Sequence, residues 1–167
     1  MNLEQAIRTA IAYEKEVRDI YDEGGRTVND EYGRNFFRAM ADDEQRHVDY
    51  LEHKLEQWRK NGRITVDELD SAVPSRSVIR RAVNKIGVQM NKDARGMKEQ
   101  QLSKALQVEI ETSRFYRQMV AELSAEGRDL FAHFLEIEEN HIEAVQFELD
   151  FISNTGYWFN IKEFDME

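Results

Sequence analysis

Asp43-Glu44-Gln45-Arg46-His47 and Glu138-Glu139-Asn140-His141 decide how this chain reads. Each contains Glu-x-x-His, and the two copies stand 94 residues apart. Upstream of each, by 30 residues in the first half and 29 in the second, a glutamate is followed seven positions later by a tyrosine: Glu14 with Tyr21, and Glu109 with Tyr116. Gly33-Arg34-x-x-Phe37 likewise recurs as Gly127-Arg128-x-x-Phe131, again 94 residues on. The sequence is an internal duplication, and what it repeats is a set of metal-ligand residue types.

Each motif falls on an apolar stripe with helical period. Leu3, Ile7, Ala10, Glu14, Val17 and Tyr21 step by four and three, which is one face of a helix. Phe37, Met40, Glu44, His47, Leu51, Leu55 and Trp58 form a second face. Leu102, Ala105, Glu109, Thr112, Tyr116, Met119 and Leu123 form a third, and Phe131, Phe134, Glu138, His141, Val145, Leu149 and Ile152 a fourth. Glu14, Glu44, His47, Glu109, Glu138 and His141 therefore point where core side chains should. An unpaired carboxylate in an apolar core costs several kcal/mol, so four at one level require compensating positive charge. Two divalent cations balance four glutamates, and two neutral imidazoles add nitrogen donors without charge. The expectation is a dinuclear metal site.

Composition narrows the alternatives. The 167 residues fit one domain with a substantial core, and one proline with eight glycines leaves room for long helices. No cysteine is present, which excludes disulfides, thiolate-bound zinc, iron–sulfur ligation and cysteine nucleophiles. A net charge of −10 argues against a nucleic-acid partner. No apolar run approaches a membrane span, and Met1-Asn2-Leu3-Glu4-Gln5 lacks signal-peptide character, so a cytoplasmic location without membrane attachment is expected.

The pattern predicts an all-α, ferritin-like four-helix bundle over residues 1–156. Two antiparallel helix pairs are joined by a long, partly helical crossover spanning about 62–96, and an aromatic tail follows at 157–167. The first helix should stop at Gly24-Gly25, the second begin at an Asp30 cap, and the fourth be capped by Ser124. Thr65-x-x-Glu68 reads as a capping box, and Val78, Ile79, Ala82, Val83 and Ile86 as an amphipathic helical patch after Pro74.

One glutamate from each of two helices, with Glu-x-x-His from each of the other two, resembles the rubrerythrin branch of the ferritin-like di-iron carboxylate proteins. The resemblance covers nearly the whole chain. It implies a non-haem centre of two iron ions, with manganese or zinc as substitutes, that reduces hydrogen peroxide or dioxygen. Glu14 and Glu109 would each bind one metal terminally or shift to bridging. Glu44 and Glu138 would bridge, and His47 and His141 would give one nitrogen per metal. The alternatives are a ferroxidase or iron-binding protein, and a structural dinuclear site without turnover. Classical rubrerythrins carry a cysteine-rich rubredoxin domain that this chain lacks, so an external electron-transfer protein is implied. They also usually place a further glutamate where this chain has Thr112.

Other residues carry two readings each. Tyr21 and Tyr116 suit redox or proton-relay work at the site, or core packing around a hydroxyl partner. Asp43 looks like the outer partner of a Asp-Glu-x-x-His motif, and only the first half has it, because Ile137 precedes Glu138. His53, His133, Glu16, Glu111 and Glu139 lie off the stripes and read as solvated. Arg76, Arg80, Arg81, Lys85, Lys92 and Arg95 form a basic cluster that either docks an acidic carrier or is a solvated face. Tyr157, Trp158, Phe159 and Phe164 either close the end of the bundle or bury against a second subunit of a homodimer.

Overall fold

The computed structural model describes residues 1–86 and 96–159, with no strand among the described residues. Helices α1 (Leu3–Thr27) and α2 (Glu31–Asn61) form one hairpin. Helices α4 (Met97–Glu122) and α5 (Ala125–Thr155) form the other, and α3 (Arg76–Ile86) lies in the crossover. α1 packs along α2, α4 along α5, α1 against α4, and α3 on α5. This is an all-α ferritin-like bundle with a partly helical crossover.

Local chemistry explains most of the boundaries. Asn2 Oδ1 accepts from the Gln5 N–H at 2.9 Å while Gln5 Oε1 accepts from the Asn2 N–H at 3.2 Å, a capping box that starts α1. Asp30 caps α2 by accepting from the N–H groups of Tyr32 and Gly33. α2 and α5 end on left-handed glycines, Gly62 at φ 66° and Gly156 at φ 75°.

Three expectations fail. α1 runs through Gly24-Gly25 to Thr27. Gly24 is buried because a Cβ there would stand 2.6 Å from the Phe37 ring, so the glycine permits close approach of α2 rather than ending α1. Burying a phenylalanine contributes about 2–3 kcal/mol, which outweighs the roughly 1 kcal/mol that glycine costs in a helix. Ser124 makes no side-chain cap bond to α5. Thr65 and Glu68 form no capping box, because residues 63–71 contain no helix. Thr65 is instead bonded to Gln57, its N–H donating to Oε1 at 2.9 Å and its Oγ1 accepting from Nε2 at 3.1 Å.

That segment is a strap running back along α2 and then across to α5. Tyr50 Oη donates to the Asp67 carbonyl at 2.8 Å, and the buried Lys54 ammonium pairs with the Asp67 carboxylate. The Leu69 N–H donates to His133 Nε2 at 3.3 Å, so His133 tethers the strap to α5 instead of being merely solvated. The Arg76 N–H donates to Asn140 Oδ1 at 3.0 Å, and ion pairs Arg76–Glu139 (2.8 Å) and Arg80–Glu143 (2.7 Å) pin α3 on α5. Those two arginines are thus ion-paired to α5 while their side chains stay exposed. Lys92, Arg95 and Phe164 lie outside the described residues, as do the side chains of Val83, Lys85 and Ile86.

The apolar core forms two clusters. One holds Phe36, Phe37, Met40, Val145 and Ile152; the other holds Ile7, Leu51, Met119, Phe131 and Phe134. Trp158, 4% exposed, joins the first with its ring 5.5 Å from that of Phe37, and the Phe159 ring lies 5.0 Å from Phe147. The tail thus covers one end of the bundle, with Tyr157 left exposed. Among the described residues, no helix is long and apolar enough to cross a membrane.

Candidate metal centre

All six donors selected from the sequence are buried without measurable exposure. α1 brings Glu14, α2 brings Glu44 and His47, α4 brings Glu109, and α5 brings Glu138 and His141. Glu14, Glu44, His47 and Glu138 can each offer an atom within 4.8 Å of the others, and so can Glu44, Glu109, Glu138 and His141. The two groups share Glu44 and Glu138. Both imidazoles turn Nδ1 toward the carboxylates: His47 Nδ1 lies 3.1 Å from Glu14 and 2.9 Å from Glu44, and His141 Nδ1 lies 2.6 Å from Glu44 and 3.5 Å from Glu109. The rings stack at 5.2 Å.

The tyrosines complete the layer by crossing it. Tyr21 Oη on α1 donates to Glu109 Oε1 on α4, and Tyr116 Oη on α4 donates to Glu14 Oε1 on α1. One index rises as the other falls, so α1 and α4 run antiparallel. Burial, then the adjacent carboxylates, raises both phenols above their ordinary range, so they stay protonated donors.

Asp43 stands behind the rings. Its Oδ2 lies 2.9 Å from His141 Nε2, while the Ser71 hydroxyl, the Ala72 N–H and the Arg46 guanidinium donate to the same carboxylate. Burial opposes ionisation of Asp43, but the His141 contact and the other donors hold it well below the usual carboxylate range. Asp43, His47 and His141 also lie close enough to be read as a metal group. With Asp43 already held by the strap, it orients a ring rather than offering an open donor.

Electrostatics in the layer pull in opposite directions. Burial and then the Glu44 charge push Glu14 up to about 8. Burial and the charges of Glu14 and Glu109 raise Glu138 well above its ordinary value. Burial also opposes ionisation of Glu44, yet His141 and His47 hold it well below the ordinary value. Burial opposes charge on His47, but Glu44 and Glu14 push it up to about 10, and Glu44 and Glu109 raise His141 likewise.

A divalent metal pair fits these residues. Among the described residues, Glu44 Oε1, Glu109 Oε2, both oxygens of Glu138 and His141 Nδ1 are buried without a well-aligned hydrogen bond, the 2.6 Å approach of His141 Nδ1 to Glu44 Oε1 being an ion-pair contact only. Buried polar atoms left unpaired cost about 1–3 kcal/mol each, a cost that coordination would remove. Carboxylate oxygens with imidazole nitrogens suit iron, manganese or zinc. Thr112 brings no carboxylate to the layer, and its hydroxyl donates to the Val108 carbonyl at 2.9 Å.

The rubrerythrin family model matches residues 5–149, which spans all six donors and both tyrosines. The chain belongs to the rubrerythrin family. Comparison with curated proteins and with solved structures found no match. This family member has no cysteine in its 167 residues to hold a rubredoxin-type iron.

Two buried charged residues beside the layer escape the stripe reading. Lys54 and Glu148 each follow a donor histidine by seven residues and stand 94 apart, the spacing of the duplication itself. That spacing could have found them. Lys54 holds the strap through Asp67, and Glu148 Oε2 accepts from the Phe159 N–H of the tail at 3.2 Å.

Proposed function

We propose that this rubrerythrin-family chain is a di-iron redox protein that reduces hydrogen peroxide or dioxygen with electrons from an external carrier. The observation that supports this most is the sharing of Glu44 and Glu138 between two four-donor groups in a bundle of that family. Glu14 with His47, and Glu109 with His141, would each complete one metal position, and manganese or zinc would fit the same donors. Two iron ions bound there would supply the two electrons that a small oxidant needs. The flanking apolar clusters exclude water from the layer, and full burial of the donors restricts access to small molecules. Tyr21 and Tyr116 hold protons against Glu109 and Glu14, within reach of a change in charge at either carboxylate. The 167 residues hold no cysteine for a bound relay, so this reading assigns electron supply to an external carrier.

A ferroxidase or iron-binding role is the second reading, favoured by the net charge of −10, which attracts ferrous ions. Anaerobic iron loading with metal counting, followed by stopped-flow mixing with peroxide and with oxygen separately, distinguishes the two. The proposal expects two ions per chain, faster oxidation by peroxide, and turnover only with an added donor. Ferric iron accumulating beyond two ions per chain points to the ferroxidase, and no reaction with either oxidant leaves a structural site.

A further inference from the structure

The two halves of the donor layer mirror each other in almost every contact. Each histidine faces the carboxylates through Nδ1, each terminal glutamate accepts from the tyrosine of the opposite hairpin, and both halves share Glu44 and Glu138. The mirror fails on the far side of the rings. His141 Nε2 lies 2.9 Å from Asp43 Oδ2, whereas His47 Nε2 lies 3.8 Å from the same oxygen and has no hydrogen-bond partner among the described residues. The cause is visible in the sequence: Asp43 precedes Glu44, but its counterpart before Glu138 is Ile137, apolar and 5% exposed. Asp43 is also not free to divide itself between the rings, because Ser71, Ala72 and Arg46 fix its orientation.

We propose that the two metal positions are unequal, the Glu109–His141 position binding a divalent cation more tightly than the Glu14–His47 position, because Asp43, clasped by the crossover strap, supports only His141. This rests on the dinuclear reading above. A carboxylate accepting from the distal N–H of a ligand imidazole fixes the tautomer, aligns the ring and makes the ligating nitrogen more basic. Losing such a partner typically weakens metal binding about 10–100-fold. Asp43 is thus a positioning residue, and the strap that closes over it takes part in setting metal affinity.

Anaerobic titration of the full chain with Co(II), followed by calorimetry and by visible absorption, tests this. The expected result is two binding steps separated by about tenfold or more. His141→Ala should abolish the tighter step and His47→Ala the weaker. Asp43→Asn, which keeps an acceptor but not the charge, should weaken the tighter step until the two nearly coincide and should shift the absorption of that step alone. Ser71→Ala removes one clasp and should move the tighter step part of the way, which keeps the test open if Asp43→Asn does not fold. Coincident steps in the natural sequence, loss of the tighter step in His47→Ala, or equal weakening of both steps by Asp43→Asn or Ser71→Ala would overturn the proposal. Binding of fewer than two ions by the natural sequence would overturn the dinuclear reading itself and is seen in the stoichiometry rather than in the spacing of the steps.

Discussion

Protons and metal ions compete for the same atoms of the buried layer. His47 is pushed up to about 10 and Glu14 to about 8, with His141 and Glu138 also raised, so without a cation the layer favours bound protons. Metal uptake at pH 7 should therefore release protons, and affinity should fall as pH falls. Calorimetry in buffers of different ionisation enthalpy measures the release, and a heat independent of buffer would contradict it. Replacing Glu44 or Glu138 by alanine should reduce binding of both metals, because each belongs to both donor groups, whereas His47→Ala or His141→Ala should remove one. Glu16→Ala and Glu111→Ala alter exposed residues next to the stripes and should change nothing in the metal count. At this scale the site is largely legible in the sequence. A helix of period 3.6 leaves few ways to place glutamates among Ile7, Ala10 and Val17 except inward. The grip of Ser71 on Asp43 is not legible, since no period links an irregular strap to a helix.

Helices in this bundle are positioned by what lies against them as much as by their own caps. Gly24→Ala would place a methyl 2.6 Å from the Phe37 ring, so either the ring or α2 has to shift. A loss of about 1–3 kcal/mol in denaturant unfolding is expected, against a gain of up to about 1 kcal/mol for Gly25→Ala, whose nearest neighbour stands at 3.5 Å. Sequence alone makes Gly24-Gly25 a helix end, because only the partner helix reveals the close approach. The tail offers a pH test. Burial raises the Glu148 carboxyl from 4.5 to about 8, so its neutral form is favoured in the folded chain. The stability linked to that proton is present in full below about 4.5 and is lost as pH rises through about 8. Glu148→Gln keeps an acceptor for the Phe159 N–H and should make unfolding stability at pH 8 greater by roughly 1–3 kcal/mol, with no gain at pH 4. Equal effects at both pH values would show that burial of the charge is not the cause.

Taken as a whole, the molecule divides at the crossover into two hairpins that complete each other. Tyr21 of the first finds its acceptor in the second, and Tyr116 of the second finds its acceptor in the first. Chains of residues 1–72 and 73–167, produced separately, should each lack cooperative unfolding. Mixed together they should recover helicity and bind two metals per pair, as read by circular dichroism and metal analysis. Metal binding by either piece alone at full stoichiometry would show that the halves are independent. The crossed bonds also carry a historical consequence. A lone ancestral hairpin facing a copy of itself across a twofold axis would make both of them at once, tyrosine to glutamate and back. In such a pair, positions 43 and 137 would have been one gene position and had to carry one residue. Joining the copies end to end freed them to diverge, and aspartate in one with isoleucine in the other is a difference that no symmetric dimer of identical chains could have encoded.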